Sequence, residues 1–474
     1  MKKTAGTVIV VVVLLVLGAA PAGVGLMAEN HYRQLWQAAL ADQPGYSAMV
    51  TDYERGWFSS SARVDITITD AGMVQLLGEL DWIEADTDNN QARLRLHERI
   101  HHGPLALGAP APAGQRLRPS AGVIHTRLGR TLALDEETLD GFGITTRLGL
   151  GDRLHSHLRI EPVDYEFDDG SGLTLSHRMT LDVHTNQTLQ WLRSEFQGKS
   201  LQLHGAEGET VILESIRVQT DQHRSTGGVW LGDTNFSVGL IGMTFAAGLP
   251  LEVRELQWRS HASEPGDLLE QKHTIRAASI ESGGFRTAPV QLDGTLFNLD
   301  TGGLVALQER LAELPPPHPD APADDYASEL LEEVRGNLRE MARHGPGLRI
   351  DKLSLGLDGG ALEGDGRLVL AVSDEAEFDR HLDQGNLTRL LQAEGRLTAG
   401  RTLVRKTLVR TLGDGVLHPE LEADLESMAE MQIDEFIAQG LVVESGDNLE
   451  IRIQLEDGVF HLNQREIWRL YPDH

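Results

Sequence analysis

Cysteine is absent from the 474 residues. Its absence excludes Cys-ligated zinc, iron–sulfur clusters and a thiol nucleophile, and it suits an oxidising compartment, where a stray thiol is a liability. Basic residues are scarce beside acidic ones: 42 Lys and Arg against 71 Asp and Glu leave a net charge of −29. That balance opposes nucleic-acid binding, which depends on cationic side chains neutralising phosphates. Aromatics make up only 5% of the chain, so large rings to plug an apolar interior are few. No P-loop and no G-x-S-x-G string occurs. After the first 28 residues no long uncharged apolar run follows, so the chain crosses a membrane once at most.

The amino terminus is therefore the one candidate span. Lys2 and Lys3 precede an uncharged run from Thr4 to Ala28, with Val8 to Leu17 almost wholly Val and Leu. As a helix the run reaches roughly 37 Å, enough for a hydrocarbon core of about 30 Å. The lysines keep the short end cytoplasmic and send the bulk to the other side. Ala20-Pro21-Ala22 has small residues at signal-peptidase spacing, so cleavage after Ala22 competes with an uncleaved anchor. The length of the run favours the anchor.

Alternation dominates the rest. Val64, Ile66 and Ile68 alternate with polar residues, as do Leu94 and Leu96. The same period returns at Leu158–Ile160, Leu173–Leu175, Leu181–Val183, Leu201–Leu203, Ile216–Val218, Leu251–Val253, Leu353–Leu357, Leu368–Leu370 and Ile451–Leu455. This pattern predicts antiparallel strands with one apolar and one wet face. Gly227-Gly228, Asp358-Gly359-Gly360 and Asp457-Gly458 supply turns between them. Helices are expected at Leu304–Leu311, 323–344, 401–412 and 419–439. The expected fold is α+β: a long, strongly twisted, mainly antiparallel β-sheet with a few amphipathic helices against its apolar face, preceded by one N-terminal membrane helix. The expected organisation is a signal-anchor at 1–28, a β-rich part at 29–314, a Pro-rich connector at 315–322 and an α+β part at 323–474, the last continuing the first sheet or standing apart from it.

Motifs that carry chemistry fare poorly. His97-Glu98-Arg99-Ile100-His101 spells the H-E-x-x-H zinc signature, which works on a helix. Here it sits on an alternating strand, where the two imidazoles stand about 13 Å apart. His155 and His157 share a strand face and offer two metal ligands without a third. Asp86-Thr87-Asp88 opens like a calcium loop but has Gln91 where Gly is required and His97 where Glu is required. Arg401, Arg405, Lys406 and Arg410 form a basic helical face, suited to local carboxylates such as Glu394 or to anionic lipid. No catalytic, cofactor-binding or metal residue is assigned, and no cofactor is expected.

One string has no catalytic logic of its own: Tyr53-Glu54-Arg55-Gly56-Trp57-Phe58-Ser59-Ser60. It resembles the Y-x-R-G-x-F-S-S signature of the YdgA-like family of bacterial envelope proteins (domain of unknown function 945). His102-Gly103-Pro104 resembles the family's H-G-P segment, Glu161 to Tyr165 its P-x-x-Y strand, and Leu455 to Asn463 its closing hairpin. The resemblance implies a Gram-negative inner-membrane protein whose bulk faces the periplasm, and it brings no catalytic residue. Tyr53, Arg55, Gly56, Trp57, Phe58, His102, Gly103 and Pro104 are read as a structural motif, with ligand binding as the alternative. The expected role is non-enzymatic and lies in envelope organisation, with the membrane and a lipid or envelope protein as partners. Two alternatives stand beside it: a hydrophobic groove for acyl chains, and a carboxylate-based hydrolase.

Overall fold

The computed structural model describes residues 32–33, 45–56, 59–69, 74, 84–86, 90–102, 120, 122–128, 142–149, 151–166, 170–245, 248–283, 285–313, 334–358, 360–372, 374–384, 386–412 and 422–469. The expected membrane segment 1–28 and the connector 315–322 lie outside these residues. Among the described residues no helix is long and apolar enough to cross a membrane.

The chain is mostly antiparallel sheet. Its first strands are β1 (Tyr46–Arg55), β2 (Ser59–Ile68), β3 (Glu84–Asp86), β4 (Gln91–His102), β5 (Gly122–Leu128), β6 (Phe142–Leu148) and β7 (Arg153–Ile160). The middle holds β8 (Val163–Glu166), β9 (Gly172–Leu175), β10 (Met179–Asn186), β11 (Trp191–His204), β12 (Thr210–Arg224), β13 (Trp230–Thr244), β14 (Leu251–Ser263), β15 (Leu268–Ala277), β16 (Ser279–Ser282) and β17 (Phe285–Asp300). The last are β18 (Gly347–Leu357), β19 (Gly360–Leu370), β20 (Leu391–Gly400), β21 (Val443–Ser445), β22 (Asn448–Glu456), β23 (Val459–Leu462) and β24 (Arg465–Arg469). Each strand pairs chiefly with its neighbours in sequence, so the sheet is a ribbon that follows the chain. β17 pairs with β18, from either side of the connector, in one ladder.

Cross-strand register exposes the logic of the pattern. One transverse row passes through Leu158, Leu181, Phe196, Val218, Phe236, Trp258, Ile275, Leu292 and Leu353. It continues through Gly364 to Leu397 and Ile451. Directly opposed residues share a face, so these side chains form one apolar line. The next residue along each strand is polar: Arg159, Thr180, Gln197, Arg217, Ser237, Gln257 and Arg276 make the neighbouring row on the opposite face.

A seam crosses this ribbon. Ser215 in β12 and Glu255 in β14 have positive φ, 56° and 50°. Gly239 of β13 lies between them in register, and the ladder there is interrupted. Glu214-Ser215 and Arg254-Glu255 are each two exposed residues in succession, so the alternation slips by one. Leu213 and Ile216 thereby share the apolar side. Beyond the seam the apolar line is Leu201, Leu213, Ile241, Val253 and Ile280.

Among the described residues the sheet is fully covered in only part. Over β1 to β7 Tyr32 is buried with Val64, Leu96, Ile100, Ile124 and Leu154. The longer described helices gather later in the chain. They are α1 (Thr301–Glu313), α2 (334–342), α3 (Glu375–Asp383), α4 (Arg401–Leu412) and α5 (Glu422–Ala438). Asp374 caps α3 by accepting from the Glu377 N–H at 2.7 Å, and Phe378, Leu382, Ala342 and Leu390 make a small core there.

Candidate functional site

The described backbone of the motif lies at one corner. Arg55 pairs with Ser60, and Ser59 pairs with His101, so the β1–β2 turn lies beside the end of β4. At Gly56 an added Cβ would stand 2.2 Å from the Ser59 carbonyl oxygen, and only glycine fits that turn. Tyr53 points into the core, its ring 6.0 Å from that of Tyr32 and 6.0 Å from the Arg33 guanidinium carbon. His102 closes β4 opposite Gly122. Trp57, Phe58, Gly103, Pro104 and the side chain of His102 lie outside the described residues.

The H-E-x-x-H string is split by the strand it occupies. Glu98 is buried on the apolar side and accepts from the Thr126 hydroxyl at 2.7 Å. His97 and His101 stand on the other face. Burial, reinforced by Arg63 and Arg95 at His97 and by Arg99 at His101, holds both below the usual imidazole range. Among the described residues no group of three or more His, Asp or Glu is placed to hold a metal ion.

The basic face of α4 is occupied by local acids. Arg401 reaches Glu430, Asp434 and Glu444, Arg405 reaches Glu430, and Lys406 and Arg410 reach Asp358. The partners come from α5, β21 and the β18–β19 turn, not from Glu394.

Two features remain with chemistry to offer. The first is the apolar row itself. Its members from Leu158 to Ile451 are half-buried, whereas the alternating residues Arg217, Gln219, Asn235, Gln257 and Arg259 are exposed. Twelve strands at about 4.8 Å spacing make this track roughly 50 Å long.

The second lies on the opposite, polar face. His155 Nε2 and His157 Nδ1 both donate to Asp182 Oδ1, at 3.2 and 2.9 Å. Burial would raise the Asp182 carboxyl, but these two hydrogen bonds outweigh it and hold the group below its ordinary value. His184 stacks on His155, ring centroids 4.1 Å apart and planes 6° apart. The paired histidines of β7 thus share a carboxylate. Beside them is a cleft of about 490 Å³ lined by Arg147, Arg153, His155, His184, Trp191 and Arg193. The sequence reading found His155 and His157 but not the cleft, because its residues come from four strands and only register unites them.

These features define a mainly antiparallel, amphipathic sheet protein. The chain belongs to a family of bacterial proteins of unknown function, DUF945, whose model matches residues 1–468. Neither curated proteins nor solved structures gave a match.

Proposed function

We propose that this is a membrane-anchored periplasmic protein that works without catalysis in cell-envelope organisation, and that its apolar track receives the acyl chains of lipid. The track carries the proposal. Monomeric soluble proteins rarely leave contiguous apolar patches beyond a few hundred Å², and larger ones mark binding surfaces. The row from Leu158 to Ile451 runs about 50 Å and is half-buried along its length. Its members are aliphatic and aromatic side chains without interspersed charge from Leu158 to Leu353, which suits hydrocarbon and offers nothing to orient a polar substrate. The uncharged run from Thr4 to Ala28 supports a location beside a bilayer, where acyl chains are at hand.

The test is lipid extraction from the full chain purified in a mild detergent, followed by mass spectrometry and titration with a fluorescent fatty acid. Co-purifying lipid and saturable binding are expected. Val218→Glu, at the middle of the track, should weaken binding at least tenfold. Absence of lipid together with absence of saturable binding overturns the reading. A carboxy-terminal reporter active only in the cytosol overturns the location.

A further inference from the structure

We infer, resting on the lipid reading of the track, that its ligand is an acyl ester whose carbonyl oxygens are held by a row of uncharged donors beside the apolar line. Two residues further along each strand the side chains return to the same face. There Ser156, Val183, Ser194, Thr220, Thr234, Ser260 and His273 oppose one another in register from β7 to β15. Six spacings of about 4.8 Å make this row roughly 29 Å long, and it runs about 6.8 Å from the apolar one. Six of its seven members carry a hydrogen-bonding side chain, and none of those six is Lys, Arg, Asp or Glu.

Hydrogen bonds within the face leave donors over. Gln222 Nε2 donates to the Thr234 hydroxyl at 3.2 Å, and Gln271 Nε2 donates to the Ser260 hydroxyl at 3.2 Å. A hydroxyl that accepts keeps its own proton to give. Ser194 and Thr220 face each other across β11 and β12, and neither side chain has a hydrogen bond among the described residues. His273 Nδ1 accepts from the Trp258 indole at 3.2 Å, so its ring proton sits on Nε2 as a further donor. Burial holds His273 below the usual imidazole range, and the ring is neutral at neutral pH. Ser194, Thr220, Thr234 and His273 are half-buried, within reach of a chain lying on the track.

The absence of charge selects the ligand. From β7 to β15 the apolar row, the donor row and the row beyond it, which holds Leu192 and Gln222, contain no Lys, Arg, Asp or Glu. Charged residues make up 24% of the chain, so this face is set apart from the rest of it. An ionised headgroup laid there would give up its water with no counter-charge in return. Bare hydrocarbon laid there would strand the hydroxyls of Ser194 and Thr220. An acyl ester meets both demands: its chain covers the apolar row, and its carbonyl is an uncharged acceptor for the donors alongside.

Displacement of a fluorescent fatty acid from the full chain in nonionic detergent at pH 7.5 decides the matter. The competitors are methyl palmitate, hexadecyl methyl ether, which lacks the carbonyl, and palmitate, which is ionised. Methyl palmitate should displace the probe at a concentration at least fivefold lower than either of the others. The double variant Ser194→Ala, Thr220→Val removes two hydroxyls and adds no bulk. It should bring the ester down to the level of the ether while the ether itself displaces no less well, which also shows that the variant is folded. The carbonyl stretch of bound methyl palmitate should lie at lower wavenumber with the native chain than with the double variant. Equal potency of ester and ether, palmitate as potent as the ester, or an ester preference indifferent to the double variant overturns the inference and leaves the track standing. A probe that does not bind, or that none of the three displaces, overturns the lipid track and this inference with it.

Discussion

Gly56 illustrates what one missing side chain does. The turn from β1 to β2 brings the Ser59 carbonyl so close that a methyl group would have to displace backbone. Gly56→Ala should lower stability by about 1–3 kcal/mol, the usual cost of steric misfit in a packed region; an unchanged denaturant midpoint would show that the turn rearranges freely. The histidines make a second residue-scale statement. His97, His101, His125, His184 and His273 are all held below the ordinary imidazole value, in each case chiefly by burial. A base with a lowered folded value is neutral in the native state, so the unfolded chain takes up protons first on acidification. Stability is complete above about pH 6.5 and declines as pH falls through the folded values. Thermal midpoints measured from pH 7.5 to 5 should fall steadily, and a rise would contradict the sign. A tight backbone at Gly56 was legible, since glycine beside Arg55 at a strand start permits one, but the preceding strand β1 was not. The cleft was not, since Arg147 and Arg193 are brought together only by pairing register.

At the scale of elements, period-two alternation located eleven of the twenty-four described strands. Val64–Ile68 falls in β2, Leu181–Val183 in β10 and Ile451–Leu455 in β22. The helices at 401–412 and near 422–438 also appear where their patterns placed them. β13 escaped because Val238 to Met243 is apolar or glycine at every position, the signature of an alternation that slips at Gly239. Helix α3 escaped because nine residues with Phe378 and Leu382 give too short a stripe. The closing hairpin shows what its sequence does. Asp457 and Gly458 both have positive φ, 52° and 73°, as the tightest hairpin turns require. Asn463 then donates to the Leu441 carbonyl at 2.8 Å and accepts from the Arg452 N–H at 2.8 Å. It fastens the end of β23 to the segment after α5. Asn463→Ala should cost about 1–3 kcal/mol by stranding both groups, read as faster amide exchange at Leu441–Ser445 and in β22 and β23.

The whole molecule behaves as a quasi-one-dimensional object, because strands from β4 to β24 touch mainly their sequence neighbours. Stability in such a ribbon sums local terms and nearest-neighbour interfaces. Damage should therefore stay local. Hydrogen exchange on Asn463→Ala should rise from β20 to β24 and remain at its native level from β4 to β7; a uniform rise across the chain would indicate a single cooperative unit. The sequence announced the sheet but not its ribbon order, because alternation reports faces and says nothing of partners.

The seam through Ser215, Gly239 and Glu255 gives this ribbon a fold line. Stiffness in a sheet comes from its ladder, and across β11 to β14 the ladder is broken along that row. Bending is thus concentrated there, like the spine of an open book, while the pages on either side keep their pairing. Because the greasy side is preserved across the spine, a change in that single angle widens or narrows the gutter between the pages, and on the proposed function this sets the girth of the chains it admits.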